Sequence, residues 1–338
     1  MHQNIYQKLF EEIIEQTGEI GFVTRISHPI ISVEGLPTIH PEELVIFESG
    51  ELGQVFTINK ESVEILALSG KPMPIGTRVS RMTKQVTIPL SRDIIGKTIS
   101  SLGTYYSSGL PIEEKDEERT IHAAAPGISS RTKIIKPLIT GVSIVDLLVP
   151  LGKGQRELVL GDRKTGKTNF LLQAMLTQAK EGTICIYAAI GKRKVEIKHV
   201  EKYIRDNEIA DQTLIVASSA SDPVGLIYLT PYTAMTIAEY FKDLGHDVLL
   251  ILDDLSTHAK YYREISLVGQ RFPGRSSYPG DIFYAHARLL ERAGNFKTSS
   301  GDAVSITCLP VAETVEGNIS GYIQTNLMSI TDGHIYFD

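Results

Sequence analysis

The sequence predicts a phosphate-loop α/β domain preceded by a small closed β-barrel, and three observations carry that prediction. From Gly18 to about Leu90 short alternating strands are broken by glycine turns, with no convincing helix, the pattern of a small barrel. From about Lys136 onward strands and helices alternate, the mark of a parallel sheet. Within that second part Gly161-Asp162-Arg163-Lys164-Thr165-Gly166-Lys167-Thr168 fits the pattern G-x-x-x-x-G-K-[ST] without a mismatch.

Taken in order, residues 1–17 read as an amphipathic helix, with Ile5, Leu9, Phe10, Ile13 and Ile14 on one face and Glu11, Glu12 and Glu15 between them. A partner and the chain's own next domain are equally good candidates for covering that face. Residues 18–90 form the expected barrel. Its clearest strands are Gly21 to Ile26, Glu43 to Phe47, Gln54 to Ile58 and Ser62 to Leu68, with a hairpin turn at Ser49-Gly50. Small barrels often bind oligonucleotides. Here acidic residues outnumber basic ones from Gly18 to Lys84, and Phe22, Phe47 and Phe56 are spaced as core residues rather than as a stacking ladder. A structural or assembly barrel is therefore expected, with no nucleic-acid partner.

Residues 91–338 are read as a linker followed by the nucleotide-binding domain. The stretch from Asp93 to Lys136 is rich in glycine and proline, and its charge run Glu113 to Arg119 reads as solvated linker. Strands are expected near Leu158–Leu160, Ile184–Tyr187, Thr213–Val216, Val248–Leu252 and Val304–Thr307, with helices including Val195 to Asn207 and Tyr232 to Leu244.

Composition narrows the class. A hydrophobic fraction of 42% supports well-formed cores, and a net charge of −6 argues against a broad basic face for nucleic acid. Cys185 and Cys308 sit in apolar strand-like runs and read as reduced core residues of an intracellular protein, not as a disulfide or metal ligands. No window has the length and apolarity of a spanning helix, and the N-terminus lacks the pattern of a signal peptide.

The phosphate loop lies between an apolar strand and a helix, the context in which it works. Its backbone N–H groups and the helix N-terminus attract phosphate oxygens, Lys167 reaches the β/γ-phosphates, and the Thr168 hydroxyl holds Mg²⁺. Val248 to Leu252 then runs into Asp253 and Asp254, a Walker B pattern. Asp253 is the expected partner of Mg²⁺, acting through water, with Asp254 the alternative; the competing reading is that both cap the helix near Ser256. The expected ligand is ATP or ADP with Mg²⁺. After the strand beginning at Ile184 comes Gly191-Lys192-Arg193-Lys194, with no carboxylate before Glu196. A cation at 192 cannot serve as the water-activating base.

These residues resemble the alpha subunit of F-type ATP synthases, and the similarity runs through nearly the whole chain. Besides the phosphate loop it rests on Ala125-Pro126-Gly127, Pro137 to Gly141, Gly154 to Leu158, Ile186 to Gly191, Asp253 to Ser256, Tyr278 to Asp281, Arg288 to Ala293 and Ser329 to Gly333. The resemblance implies a barrel crown, a RecA-like nucleotide domain and a C-terminal helical domain. It also implies a ring alternating with beta-type catalytic subunits around a central shaft subunit, sited as a peripheral complex on the cytoplasmic face of a membrane. Alpha sites of that family hold MgATP without turning it over, so no catalytic residue is expected here.

Departures from the family pattern are Lys192 where alpha subunits usually carry glutamine and catalytic subunits the base glutamate, Lys164 where glutamine is usual, and Gln324 in place of a proline. Lys192 is accordingly read as a marker of a non-catalytic site. The family continues beyond the position of Asp338, so the C-terminal helical domain, with its arginine for the neighbouring site, is expected to be absent, whether the chain is a fragment or a shortened relative. Alternatives to be weighed are an export-type ring ATPase, which should carry glutamate at 192, and a termination-factor-type RNA translocase, which should carry a basic, aromatic-faced barrel.

Overall fold

The computed structural model describes residues 2–298 and 301–338. Six antiparallel strands, β1 (Gly21–Ser27), β2 (Ile30–Glu34), β3 (Glu43–Phe47), β4 (Leu52–Ile58), β5 (Val63–Ala67) and β6 (Arg78–Gln85), close into a barrel in the order β1-β2-β5-β4-β3-β6. Val33, Val45, Phe47, Ile65 and Val79 are fully buried inside it. β2 and β6 were not among the strands expected. β2 follows β1 after only two residues, and β6 is a mostly polar run, Arg-Val-Ser-Arg-Met-Thr-Lys-Gln, whose pairing comes from its neighbours rather than from its own pattern.

One core expectation is corrected. Phe22 is half exposed, because the alternation of β1 buries Gly21 and Val23 and turns residue 22 outward. Phe56 packs instead at the barrel's junction with the following domain, edge-on to Tyr262 with the Arg271 guanidinium 3.9 Å from its ring centre. The barrel thus presents no row of aromatic faces.

The N-terminal helix α1 (His2–Thr17) lies against the barrel, where Phe10 and Ile13 are buried beside Ile46 and Arg78 pairs with Glu11 at 2.9 Å. Its apolar face is covered, at these positions, by the chain itself; the side chains of Ile5 and Leu9 lie outside the described residues.

The second domain is built on a parallel sheet. Across it run Gly333–Phe337, Glu157–Gly161, Ala303–Glu313, Val248–Asp253, Ile184–Lys192, Thr213–Ser219 and the two-residue strand Thr98–Ile99, with Gly294–Lys297 antiparallel to the start of Ala303–Glu313. The five expected strands are all present. Helices cover both faces, as the near-continuous burial of the central strands requires.

The connecting segment is more ordered than its composition implies. Glu117–Thr120, which begins inside the run read as solvated linker, pairs antiparallel with Thr87–Leu90, so the boundary expected at residue 90 falls at a strand that pairs outside the barrel. Arg119 bonds to Asp243 at 2.6 Å and to nearby Glu117, and Tyr240 donates to Asp116; Asp243 and Tyr240, remote in sequence, hold a charged segment in place. The helix expected from Tyr232 spans Val224–Asp243 and passes through Pro231. Fifteen of its 20 residues are buried, and that packing outweighs the backbone bond the proline removes.

Barrel and sheet are joined through Arg271, which donates to the Phe56 carbonyl at 3.0 Å and to the Thr57 hydroxyl at 2.9 Å, and through Arg288, which reaches Glu42 at 3.2 Å. Gly225 sits so close to β5 that an added Cβ would lie 2.4 Å from the Ala67 carbonyl oxygen. Cys185 and Cys308 are buried free thiols, as expected, with burial raising their pKa well above the usual thiol range.

Candidate nucleotide site

Ligands of open parallel sheets bind beyond the carboxyl ends of the strands, and there the predicted residues meet. Glu157–Gly161 ends in the phosphate loop, and Lys167–Lys180 begins the helix that follows it. Two positions show why the loop needs glycine. Gly161 has a φ of 150° and an added Cβ would lie 2.4 Å from the Phe337 carbonyl oxygen, while Gly166 caps the helix at a φ of 99°.

The Lys167 ammonium, nearly buried, arches back over the loop to the Gly161 carbonyl at 2.8 Å and the Asp162 carbonyl. Burial lowers its pKa, with Glu313, Asp253 and Asp254 pulling the other way. Asp162 turns its carboxylate away from the cradle, onto the Thr314 hydroxyl and the Gly317 N–H, so only its backbone faces the loop. Arg163, Lys164 and Thr168 are exposed. Arg163 pairs with Glu313 through Nε at 3.2 Å, and Thr165 donates to the Asp162 carbonyl at 2.9 Å, closing the turn.

One strand, Ala303–Glu313, lies between the phosphate-loop strand and Val248–Asp253. The two carboxylates at the end of Val248–Asp253 have separate duties. Asp254 is the N-cap of helix Leu255–Val268, its Oδ1 accepting the Thr257 N–H at 2.6 Å. Asp253 faces the loop. The capping reading therefore holds for Asp254, and Asp253 takes no part in the cap.

Thr168, Lys167, Asp253, Lys192 and Glu313 line one cavity of about 670 Å³. A second of about 280 Å³ adjoins it beneath helix Lys194–Asp206, walled by Tyr187, Val195 and His199. A hydroxyl at a helix start and a carboxylate at a strand end are the hard oxygen donors that suit Mg²⁺. Thr168 and Asp253 would hold it, and bound there it would offset phosphate charge. Both Asp253 oxygens already have protein partners, however: the Tyr187 hydroxyl donates to Oδ2 at 2.5 Å and the Lys192 ammonium lies 2.7 Å from Oδ1.

Lys192 also lies 3.0 Å from Asp254 Oδ2. Burial works against its charge, yet two facing carboxylates outweigh this and raise its pKa above the usual lysine range. Desolvation pushes Asp253 up while Lys192 opposes it; one ammonium between two carboxylates keeps the lysine charged. Glu196, the first carboxylate after Lys192, reaches back to the Arg193 N–H and guanidinium, both at 3.0 Å.

Sequence reasoning missed Glu313 and Tyr187. Glu313 carries the same signal as Asp253, an acid at the end of an apolar strand. Tyr187 carries none, since its contact with Asp253 spans 66 residues.

A glycine loop cradling a buried lysine, facing a strand-end carboxylate across one intervening strand, defines a phosphate-loop nucleotide-binding domain. The family model described as ATP synthase alpha/beta family, nucleotide-binding domain, matches residues 141–338, and the chain belongs to that family. It is 40% identical over 341 residues to ATP synthase subunit alpha 1 of Pseudoalteromonas atlantica, an alignment that covers 98% of this chain and 64% of that relative. The chain thus spans less than two thirds of the relative's length. Among the described residues no helix is long and apolar enough to cross a membrane.

Proposed function

We propose that this chain is an alpha-type, non-catalytic nucleotide-binding subunit of an F-type ATP synthase ring, holding ATP or ADP with Mg²⁺ through residues 161–168 and Asp253. Beta-type catalytic subunits and a central shaft subunit are its proposed partners, in a peripheral complex on the cytoplasmic face of a membrane. The observation that carries the reading is the company kept by Lys192: where a catalytic subunit needs a free carboxylate, this site has an ammonium bound to Asp253 and Asp254. The export-ATPase alternative lacks its glutamate at 192, and the RNA-translocase alternative lacks a row of stacking faces, since of the barrel's phenylalanines Phe22 alone is exposed, Phe47 is enclosed and Phe56 lies under Arg271.

Calorimetric titration with ATP and ADP tests the binding half. Lys167→Ala removes a charged phosphate contact and should weaken binding about ten- to a hundredfold, equivalent to roughly 1.5 to 3 kcal/mol. Equal affinities for wild type and variant would refute the assignment of the loop.

The non-catalytic half predicts turnover below about 1 s⁻¹, the low end of ordinary enzymes, with Mg²⁺ present. Water must be oriented by a free carboxylate or amide, and Asp254 is spent on a helix cap and Glu196 on Arg193. Glu313, paired with exposed Arg163, is the acid that remains in the cavity besides Asp253, which Tyr187 and Lys192 occupy. Single-turnover hydrolysis faster than this limit, lost in Lys167→Ala, would show a catalytic site; its loss in Glu313→Gln would identify the base.

A further inference from the structure

Phosphate-loop sites ordinarily bring a divalent cation to the phosphates because the strand-end carboxylate and the polyphosphate are both negative and repel unless a cation lies between them. In this chain a cation is already there, attached to the backbone. The Lys192 ammonium is 2.7 Å from Asp253 Oδ1 and 3.0 Å from Asp254 Oδ2. An ammonium has three donors, so two contacts leave one for a phosphate oxygen.

Its position is fixed from behind. Lys192 ends strand Ile184–Lys192, its carbonyl accepts the Ala220 N–H at 3.0 Å, and its side chain is mostly enclosed. The other Asp253 oxygen is taken by Tyr187. Five cationic side chains, Arg163, Lys164, Lys167, Lys192 and Arg193, line the cavity against four carboxylates, so its walls carry a net positive charge without a metal.

We propose that Lys192 is a resident counter-ion that takes over much of the divalent cation's electrostatic role, so that this site accepts metal-free nucleoside di- and triphosphates almost as well as their Mg²⁺ complexes. A divalent ion entering the site competes with a tethered ammonium for Asp253, and its gain in phosphate contact is offset by displacing Lys192. The inference rests on the nucleotide reading of the same site and concerns which charge form of the ligand it selects.

The test is calorimetric titration of the full chain with ADP, in excess Mg²⁺ and in excess EDTA, for wild type and Lys192→Gln. For the wild type the two affinities should agree within about threefold. In Lys192→Gln, with the carboxylates no longer neutralised, Mg²⁺ should strengthen ADP binding by about tenfold or more, a difference of about 1.4 kcal/mol or more. A tenfold loss on adding EDTA to the wild type would overturn the proposal whether or not the variant folds. So would equally small Mg²⁺ dependence in wild type and variant, since Lys192 would then not be its cause. ADP failing to bind the wild type in either condition would overturn the nucleotide reading itself, and this inference with it.

Discussion

Arg292→Ala should destabilise the folded chain by about 3 to 5 kcal/mol, the loss typical of stripping one partner from a buried ion pair. Arg292 is 1% exposed and grips Glu239 with two parallel bonds, Nε to Oε1 at 2.9 Å and Nη2 to Oε2 at 2.6 Å. Its other donors go to the Ile121 carbonyl at 2.7 Å and the Thr236 hydroxyl at 2.8 Å. One side chain therefore ties helix Val224–Asp243, the turn after helix Ile282–Leu290 and the connecting segment at Ile121. Truncation leaves the Glu239 carboxylate buried without a counter-charge. Denaturant titration followed by circular dichroism would measure the loss, and Arg292→Met combined with Glu239→Leu should recover much of it by removing both charges. A single-variant loss under about 1 kcal/mol, or a double variant as unstable as the single, would contradict this account.

Acid should destabilise the fold through three enclosed histidines. Burial lowers His122 to about 3 and His258 to about 4, and pushes His286 well below its ordinary value. Burial is the main cause for His258 and His286, with the Tyr228 carbonyl opposing it at His258 and the neighbouring His258 adding to it at His286. His258 Nε2 faces the Tyr228 carbonyl at 3.1 Å and so carries the proton, which makes its Nδ1 the acceptor for His286 Nε2 at 3.1 Å. A second proton on either ring leaves two donors facing one another or an unpaired charge. In the unfolded chain each histidine takes up its proton near pH 6.5, whereas the folded chain refuses it until lower pH. Their stabilisation is thus complete above pH 6.5 and lost as pH falls toward 4, at about 1.4 kcal/mol per pH unit for each. Glu157, raised by burial to about 7, binds a proton in the folded state and works the other way over the same range. Comparison with His286→Asn tests the pair: below pH 6.5 the variant should lose stability less steeply than wild type. Parallel pH profiles would rule this out.

The parts of the site legible in the sequence were those whose chemistry is local. Eight consecutive residues make the loop, and the apolar run into Asp253 marks a buried strand ending in an acid, so both could be read without knowing what lies beside them. The choice between Asp253 and Asp254 could not, because it turns on Asp254 accepting the Thr257 N–H while Asp253 faces Tyr187 and Lys192. Lys192 could be read as the lack of a base but not as an ammonium shared by two carboxylates more than sixty residues away. The same division holds in the fold. The apolar central strands announced themselves, whereas β6, Thr98–Ile99 and Glu117–Thr120 take their strand character from neighbours. The helix expected from Tyr232 begins instead at Val224 and runs through Pro231, where local rules put a stop and only burial overrides them.

The closure of the barrel restricts how anything can attach at that end. Because β1 pairs with β6 through Gly21 and Phe22, every strand of the cylinder has neighbours on both sides, and none offers its full length as a free edge for strand donation from another chain. The seam is only two residue pairs long, and α1 lies on β6 beside it. Recognition there falls mainly to side chains, so any chain docking on the barrel would be selected by the shape and charge of its wall rather than by extension of the sheet.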